Sequence, residues 1–569
     1  MTLIHRIQAA RGDRPADLLL GSGRIVDVFC GKIVSGSIAI ADGHIIGLGD
    51  YEAKKKIDLK GRYVAPGFID SHVHIESSLC SVSEFVRAVL PRGTTTVIAD
   101  PHEIANVLGQ EGIAYMLRSA EGQPANVRFS LPSCVPATRL ETAGAELAAR
   151  DLVPFMDHER IAALAEMMNF PGVIGAEAEV LDKITLAQRH RKPLDGHAPG
   201  LSGKALNAYL TAGIASDHEC ATAAEAREKL AAGMHIMVRE GTGARNLRDL
   251  LPVIDAATAR RMMWCTDDRH PHDLIDQGHI DAIVREAIGL GLDPIVAIQM
   301  ATLNPADYFR LTDVGAIAPG RRADLVIFSD LFAPAAEAVY SRGRLVAEKG
   351  AMLPEIESPT PVVVASAMHV RREAIRFDIA AKGPNIRIIE LIADQLITGQ
   401  AIEPALIRDG LAISDPSRDI LKLAVIERHR QSGRMGLGFI RGFGLKQGAL
   451  AASVAHDSHN LIVVGVDDRD MLAAADAVMA MGGGFAAVSR GRLLASVPLP
   501  IAGLMSELPV TVVRDQMDEI IQAARQLGSG LRDPFMALGF VSLPVIPELK
   551  LTDCGLVDVG RFEIVPLFA

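Results

Sequence analysis

Aromatic side chains are scarce in this chain of 569 residues: Phe, Trp and Tyr together make up 4%, with a single Trp. The packing material is instead small, with 51 glycines and many Ala and Val residues, which points to closely stacked α/β layers. Cysteine is sparse as well. The six thiols, Cys30, Cys80, Cys134, Cys220, Cys265 and Cys554, are scattered and form no CxxC pair. That excludes a zinc ribbon and a thioredoxin-type redox pair, and it fits reduced thiols in a cytoplasmic protein. Positive charge is in deficit, with 58 Lys and Arg against 69 Asp and Glu, a net −11. This argues against DNA or RNA as a partner, though not against a free nucleobase. No apolar run reaches the ~20 residues of a membrane helix. The first residues, MTLIHRIQAARGDRPADLLL, carry early charge and no apolar segment of signal length.

What is present is the composition of a well-buried soluble enzyme, 49% hydrophobic and 22% charged, in a chain long enough for several domains. Residues 18–60 alternate short apolar runs with turn signals such as Cys30-Gly31, Ser35-Gly36 and Asp42-Gly43. Residues 314–350 return to that grammar. Between them, apolar runs alternate with amphipathic segments, the pattern of βα repeats. The expected strands are Phe68–His74, Thr95–Asp100, Val127–Cys134, Ile161–Met168, Pro193–His197, Gly213–His218, His235–Glu240 and Met262–Asp267. Eight such units predict a (β/α)8 TIM-type barrel at residues 67–313. The flanking segments 1–66 and 314–353 predict a discontinuous β-sandwich, and 354–569 a C-terminal α/β domain. ESPTPVVV reads as the connecting segment.

The strand ends carry the chemistry. Strand one presents His72 and His74, two residues apart and therefore on one face. Imidazole is a common neutral metal ligand. Strand two ends in Asp100-Pro101-His102-Glu103, strand four at Glu166, strand five at His197, strand six at His218 and strand eight at Asp267. Capping or core packing would account for any one of these. Four histidines and two carboxylates in register at one mouth suit two divalent ions. Glu177 reads as a solvated helix residue, and His235 lies at the opposite end of its strand from the mouth. His429 reads as a surface residue. Asp268 is expected to point away from the mouth or to pair with Arg269. His456-Asp457-Ser458-His459 reads as a second metal site, a pocket wall or a polar turn. Gly482-Gly483-Gly484 reads as a tight turn, because no P-loop Lys-Ser/Thr follows it.

Together these stretches resemble the amidohydrolase superfamily, and within it the bacterial-type adenine deaminases. The broad match is PGFIDSHVH, one His after each of strands five and six, and an Asp after strand eight. The closer match is IESSL, ADPHEIANVLG, SCVPAT, AEMMNFPGV, DGHAPGL, SDHE, CTDDRHP and GFGLKQGALAASVAHDSHN. The resemblance implies hydrolysis of adenine to hypoxanthine and ammonia in purine salvage. It implies two divalent cations, manganese or iron, with zinc an alternative, held by His72, His74, Glu166, His197, His218 and Asp267. Asp267 is expected to shuttle a proton. Glu166 is expected either to bridge the ions or to protonate the purine ring. Asp100, His102, Glu103 and His459 are candidates for binding the substrate. The expected assembly is a homo-oligomer, a dimer, without nucleic acid or membrane. Rival readings on the same scaffold are a cyclic amidase, an N-acyl deacetylase or a catalytically silent barrel. The H-x-E…P-C-x-x-C pattern of the zinc nucleoside deaminases is absent.

Overall fold

A computed structural model describes residues 3–356, 359–364, 366–392 and 395–569. Glu357 and Ser358, at the start of the expected connecting segment, lie outside the described residues.

All eight expected central strands form. They are β1 (Phe68–Val73), β2 (Thr94–Ala99), β3 (Asn126–Leu131), β4 (Ile161–Met167), β5 (Leu194–Gly196), β6 (Ser216–Asp217), β7 (His235–Arg239) and β8 (Met262–Cys265). Neighbouring strands pair in parallel. β1, β2 and β4 are buried along their whole length, as continuous apolar or small-residue runs require when both faces are covered. The ladders run as a five-stranded sheet, β5-β4-β3-β2-β1, and a three-stranded one, β6-β7-β8. A continuous closed ladder is therefore not formed. At the β1/β8 seam, Asp267 N–H donates to the His72 carbonyl at 3.0 Å and His74 N–H to the Asp267 carbonyl at 3.3 Å. At the β5/β6 seam, Ala215 N–H donates to the Leu194 carbonyl at 3.0 Å. β5 and β6 are only three and two residues long, which leaves little to pair. Asp267 has φ 56, a left-handed conformation, and makes a single isolated parallel bridge with Val73 at this seam.

The flanking β region differs from the expected two-sheet sandwich. It is a single nine-stranded mixed sheet that joins strands from residues 16–66 to strands from 325–352. The 12-residue strand Ala16–Asp27 holds it together. This strand pairs with Ala53–Asp58 through its first half and with Tyr63–Pro66 through its second, across a register shift between Leu20 and Gly23. One long irregular strand thus does what two sheets were expected to do.

The C-terminal region contains an eight-stranded sheet. Met471, Ala474, Ala475 and Val478 of helix Asp468–Ala480 pack in one cluster with Ala424, Val463 and Ala486. The alternate residues Leu423, Val425, Leu450 and Val464 share a core with helix Val510–Leu527 and with β1–β5. Because side chains alternate across a strand, this sheet is apolar on both faces, and one of them is continuous with the central region. Gly482 and Gly483 form the expected turn, while Gly484 opens the strand Gly484–Ser489, where a Cβ would stand 2.0 Å from the Val497 carbonyl oxygen. Among the described residues no disulfide forms, and no helix is long and apolar enough to cross a membrane.

Candidate metal centre

The chain leaves each strand at the C-terminal end of the sheet, and the polar residues sit there. His74, Asp100, His197 and His218 are each the first residue beyond their strands, whereas Glu166 lies inside β4. The six expected ligands come together in one buried cluster. His72, His74, Glu166 and His218 are at most 3% exposed, and Asp267 and His197 6% and 7%.

Glu166 is the hub. Its Oε1 lies 3.3 Å from His74 Nε2 and 3.6 Å from His72 Nε2. Its Oε2 lies 2.6 Å from His197 Nδ1 and 3.3 Å from His218 Nε2. Asp267 Oδ1 closes the first half, 3.0 Å from His74 Nε2 and 3.4 Å from His72 Nε2. Each carboxylate oxygen of Glu166 thus faces a different histidine pair.

The protons decide what such a cluster can hold. His74 Nδ1 donates to the Asp100 carbonyl at 3.1 Å, so in the neutral ring the Nε2 lone pair points inward. It faces His72 Nε2 at 3.1 Å as well as the two carboxylates. His72 either donates an Nε2 proton across this gap or, with its proton on Nδ1, presents a second lone pair that suits a shared cation. In the bare protein, burial disfavours the imidazolium, yet hydrogen bonds to Asp267 and Glu166 push His74 well above its usual range. His218 rises to about 9 against the same burial, through the charge of Glu166. Burial would neutralise Glu166, but His218 and His197 hold it well below the usual carboxylate range. The donor set therefore fits divalent cations, and these residues fall into overlapping groups with metal-ligand spacing.

Arg239 and Glu219 also belong here, although the sequence analysis left them aside. Arg239 Nη1 donates to Asp267 Oδ2 at 2.9 Å, and the guanidinium also binds both carboxylate oxygens of Glu219. Glu219 follows His218 directly and Arg239 ends β7, so both sit at the same strand ends as the ligands. Asp268 is a correction. It does not point away, and it lines a small cavity with Asp267, Arg239 and Phe540. It accepts a hydrogen bond from Ser77 Oγ, while Arg269 donates to the Glu240 carbonyl instead. The left-handed turn at Asp267 cancels the strand alternation that would have sent its neighbour outward.

The four expected substrate residues form a second group beside the first. His102 Nδ1 lies 3.1 Å from Asp100 Oδ2, and its buried Nε2 lies 3.5 Å from Glu103 Oε1 and 3.7 Å from Asp457 Oδ1. Glu103 reaches across to the C-terminal region, where His456 Nδ1 donates to its Oε1 at 2.6 Å and His459 Nε2 to its Oε2. The His456–His459 segment is thus a wall of the site. His429 helps hold it by donating to the Ser458 carbonyl at 2.7 Å, which corrects its assignment to the surface. Glu177 is exposed, just before helix Ala178–Arg189, as a solvated residue should be.

Two family models match the chain: "Amidohydrolase family" over residues 63–356 and "Adenine deaminase C-terminal domain" over residues 395–563. The adenine deaminase of Desulfatibacillum aliphaticivorans is 55% identical over 562 residues, covering 99% of both chains. The chain belongs to the adenine deaminase family of amidohydrolases. Another member, from Methanothrix thermoacetophila, is 49% identical over the full length of both chains, and "Adenine deaminase 2" of Carboxydothermus hydrogenoformans is 48% identical over 99% of this chain and 98% of its own. The C-terminal match of this adenine deaminase family member takes in His456 and His459, the residues that reach into the cluster.

Proposed function

We propose that this protein hydrolyses adenine to hypoxanthine and ammonia, using two divalent cations, manganese or iron, with zinc able to substitute. The supporting observation is full-length identity of about half to proteins named adenine deaminase, joined to a buried cluster of the six expected ligands. In this reading β1–β8 act as one (β/α)8 barrel at 67–313, flanked by the sheet of 1–66 and 314–353 and roofed by 354–569. His72, His74 and Asp267 would hold one cation, His197 and His218 the other, and Glu166 would lie between them with one oxygen toward each. Such cations, when bound, make a hydroxide-strength nucleophile available from water near neutral pH.

The chain's own residues do the rest. Overall, a C6–O bond forms, the C6–N bond breaks, and protons move to the leaving nitrogen. Asp267 takes a proton from the water and passes it to that nitrogen. Arg239 fixes the rotation of its carboxylate through Oδ2. Glu166 is held ionised by His218 and His197, which suits a shared ligand. His102 fills the donor role: Asp100 orients it through Nδ1, and its Nε2, which faces Glu103 Oε1 at 3.5 Å, would turn to a ring nitrogen. The cavity beside Asp267 and Asp268 holds about 10 Å³, room for one water. Leu396 and Phe540 from the C-terminal region form its outer wall.

The test is ammonia release from adenine, adenosine and cytosine after manganese loading, with acetate release followed for N-acetylglucosamine 6-phosphate. Turnover of adenine alone is the expected result. Acetate release without ammonia would replace this reading with that of a deacetylase.

A further inference from the structure

A cavity of about 410 Å³ opens at the opposite end of the strands from the metal centre. Its lining includes Leu194 and His235, the first residues of β5 and β7, and Arg260, just before β8. Three cations reach it from three separate turns. Lys192 precedes β5, Arg260 precedes β8, and Arg310 follows helix Leu303–Tyr308. Carbonyl oxygens hold two of them in place: Lys192 Nζ donates to Ile161 at 2.6 Å and Arg310 Nη1 to Arg191 at 2.8 Å. A carbonyl orients a cation without neutralising it. Among the described residues, no carboxylate lies within ion-pair distance of any of the three. Asp307, an exposed residue, also lines the cavity and brings one carboxylate to its rim.

The inner wall adds an imidazole. His235 Nδ1 is buried without a partner, and its ring tilts against Tyr308 at 4.9 Å. Burial and the charge of Arg261 lower its pKa to about 4, so the bare ring is neutral. Three cations from separate elements against one carboxylate leave the cavity net positive, a setting that suits an anion. It stands out on a chain whose net charge is −11. Two guanidinium forks and an ammonium match tetrahedral oxyanion geometry better than a lone halide.

We propose that this cleft binds a phosphate group, either free phosphate or the phosphate of a nucleoside monophosphate. The site is independent of the metal centre and of the deaminase reading.

Calorimetric titration of the full-length protein, at ionic strength fixed with chloride, tests this with inorganic phosphate, adenosine 5′-monophosphate and adenosine as separate probes. The comparison is with the double variant Arg260→Ala/Arg310→Ala. Both side chains are exposed, and unchanged adenine turnover confirms that the variant folds. The expected result is phosphate-dependent binding that weakens about 100-fold in the variant, as loss of two charged hydrogen-bond donors implies. Phosphate held at the metal centre would survive the substitutions undiminished, so that result overturns the proposal. So does absence of binding above the chloride control, or adenosine binding as tightly as its monophosphate. Tighter binding of the monophosphate than of phosphate assigns the site to a nucleotide, and equal binding assigns it to the free ion.

Discussion

Two buried carboxylates, Glu166 and Glu103, each face histidines through both oxygens, and by composition the two clusters are alike. Their backbone partners make them opposites. At His74 a carbonyl takes the Nδ1 proton, so the ring offers the Glu166 cluster a lone pair. At His459 the Ala455 N–H donates to Nδ1 at 3.2 Å, so the ring offers Glu103 a proton. One cluster calls for a cation, and the other is already satisfied. Burial lowers the pKa of His459, in keeping with a neutral ring that donates through Nε2, and it would raise that of Glu103, which His456 and His459 nevertheless hold well down. The hydrogen bonds to Glu103 support the wall reading of His456–His459, although both groups share metal-ligand spacing. Spacing finds such clusters, and the proton on the far nitrogen sorts them.

The largest effect that could break this contrast comes from Glu166→Gln. It removes the shared charge between the histidine pairs, and we expect bound metal, by elemental analysis, to fall from two ions per chain to one or none, with turnover undetectable. Glu103→Gln should keep both ions. If the two variants lost metal equally, the distinction drawn from tautomers would be wrong. Asp267→Asn comes next. It keeps an oxygen for the ion but cannot accept a proton, so turnover should drop roughly 10²–10⁴-fold with metal largely retained. Asp268 cannot serve as a distant control, because it lines the same cavity. Glu177→Gln, exposed beside its helix, is the neutral control.

Much of this contrast was legible in the sequence, and the rest was lost for definite reasons. The pair His72 and His74 follows from strand periodicity. Glu166, His197, His218 and Asp267 follow from where buried strands end. The family resemblance supplied the substrate. Asp268 was misplaced because its direction depends on one left-handed residue before it, and alternation assumes extended backbone. The sandwich became a single sheet because a register shift inside one strand is invisible in an apolar pattern. Glu103 and His456 are 353 positions apart, and no local signal pairs them. A search for metal-ligand types alone passed over Arg239.

Smaller effects sharpen the comparison at the C-terminal wall. His459→Ala removes a neutral donor to Glu103, and substitutions one shell out from a metal site typically cost 10–100-fold. We expect that loss in kcat/KM with two ions still bound. Unchanged kinetics would reduce the segment to a structural turn.

The smallest expected effect belongs to Phe540, and it separates contact from orientation. Its ring stacks on His456 with centroids 4.2 Å apart and planes within 12°. It also lines the one-water cavity beside Asp267. Phe540→Leu keeps an apolar wall of similar bulk but removes the flat face that fixes the imidazole plane. Aromatic pairs of this kind contribute ~0.5–1.5 kcal/mol beyond their buried area, so the variant should be destabilised by about that amount in denaturant titration. If the stack orients His456 toward Glu103, kcat should fall by a few-fold with KM nearly constant. If Phe540 acts only as a gate, the leucine leaves kcat intact and shifts KM alone. That second pattern would mean that His456 needs no help to hold Glu103, and that the wall is rigid without its aromatic backing.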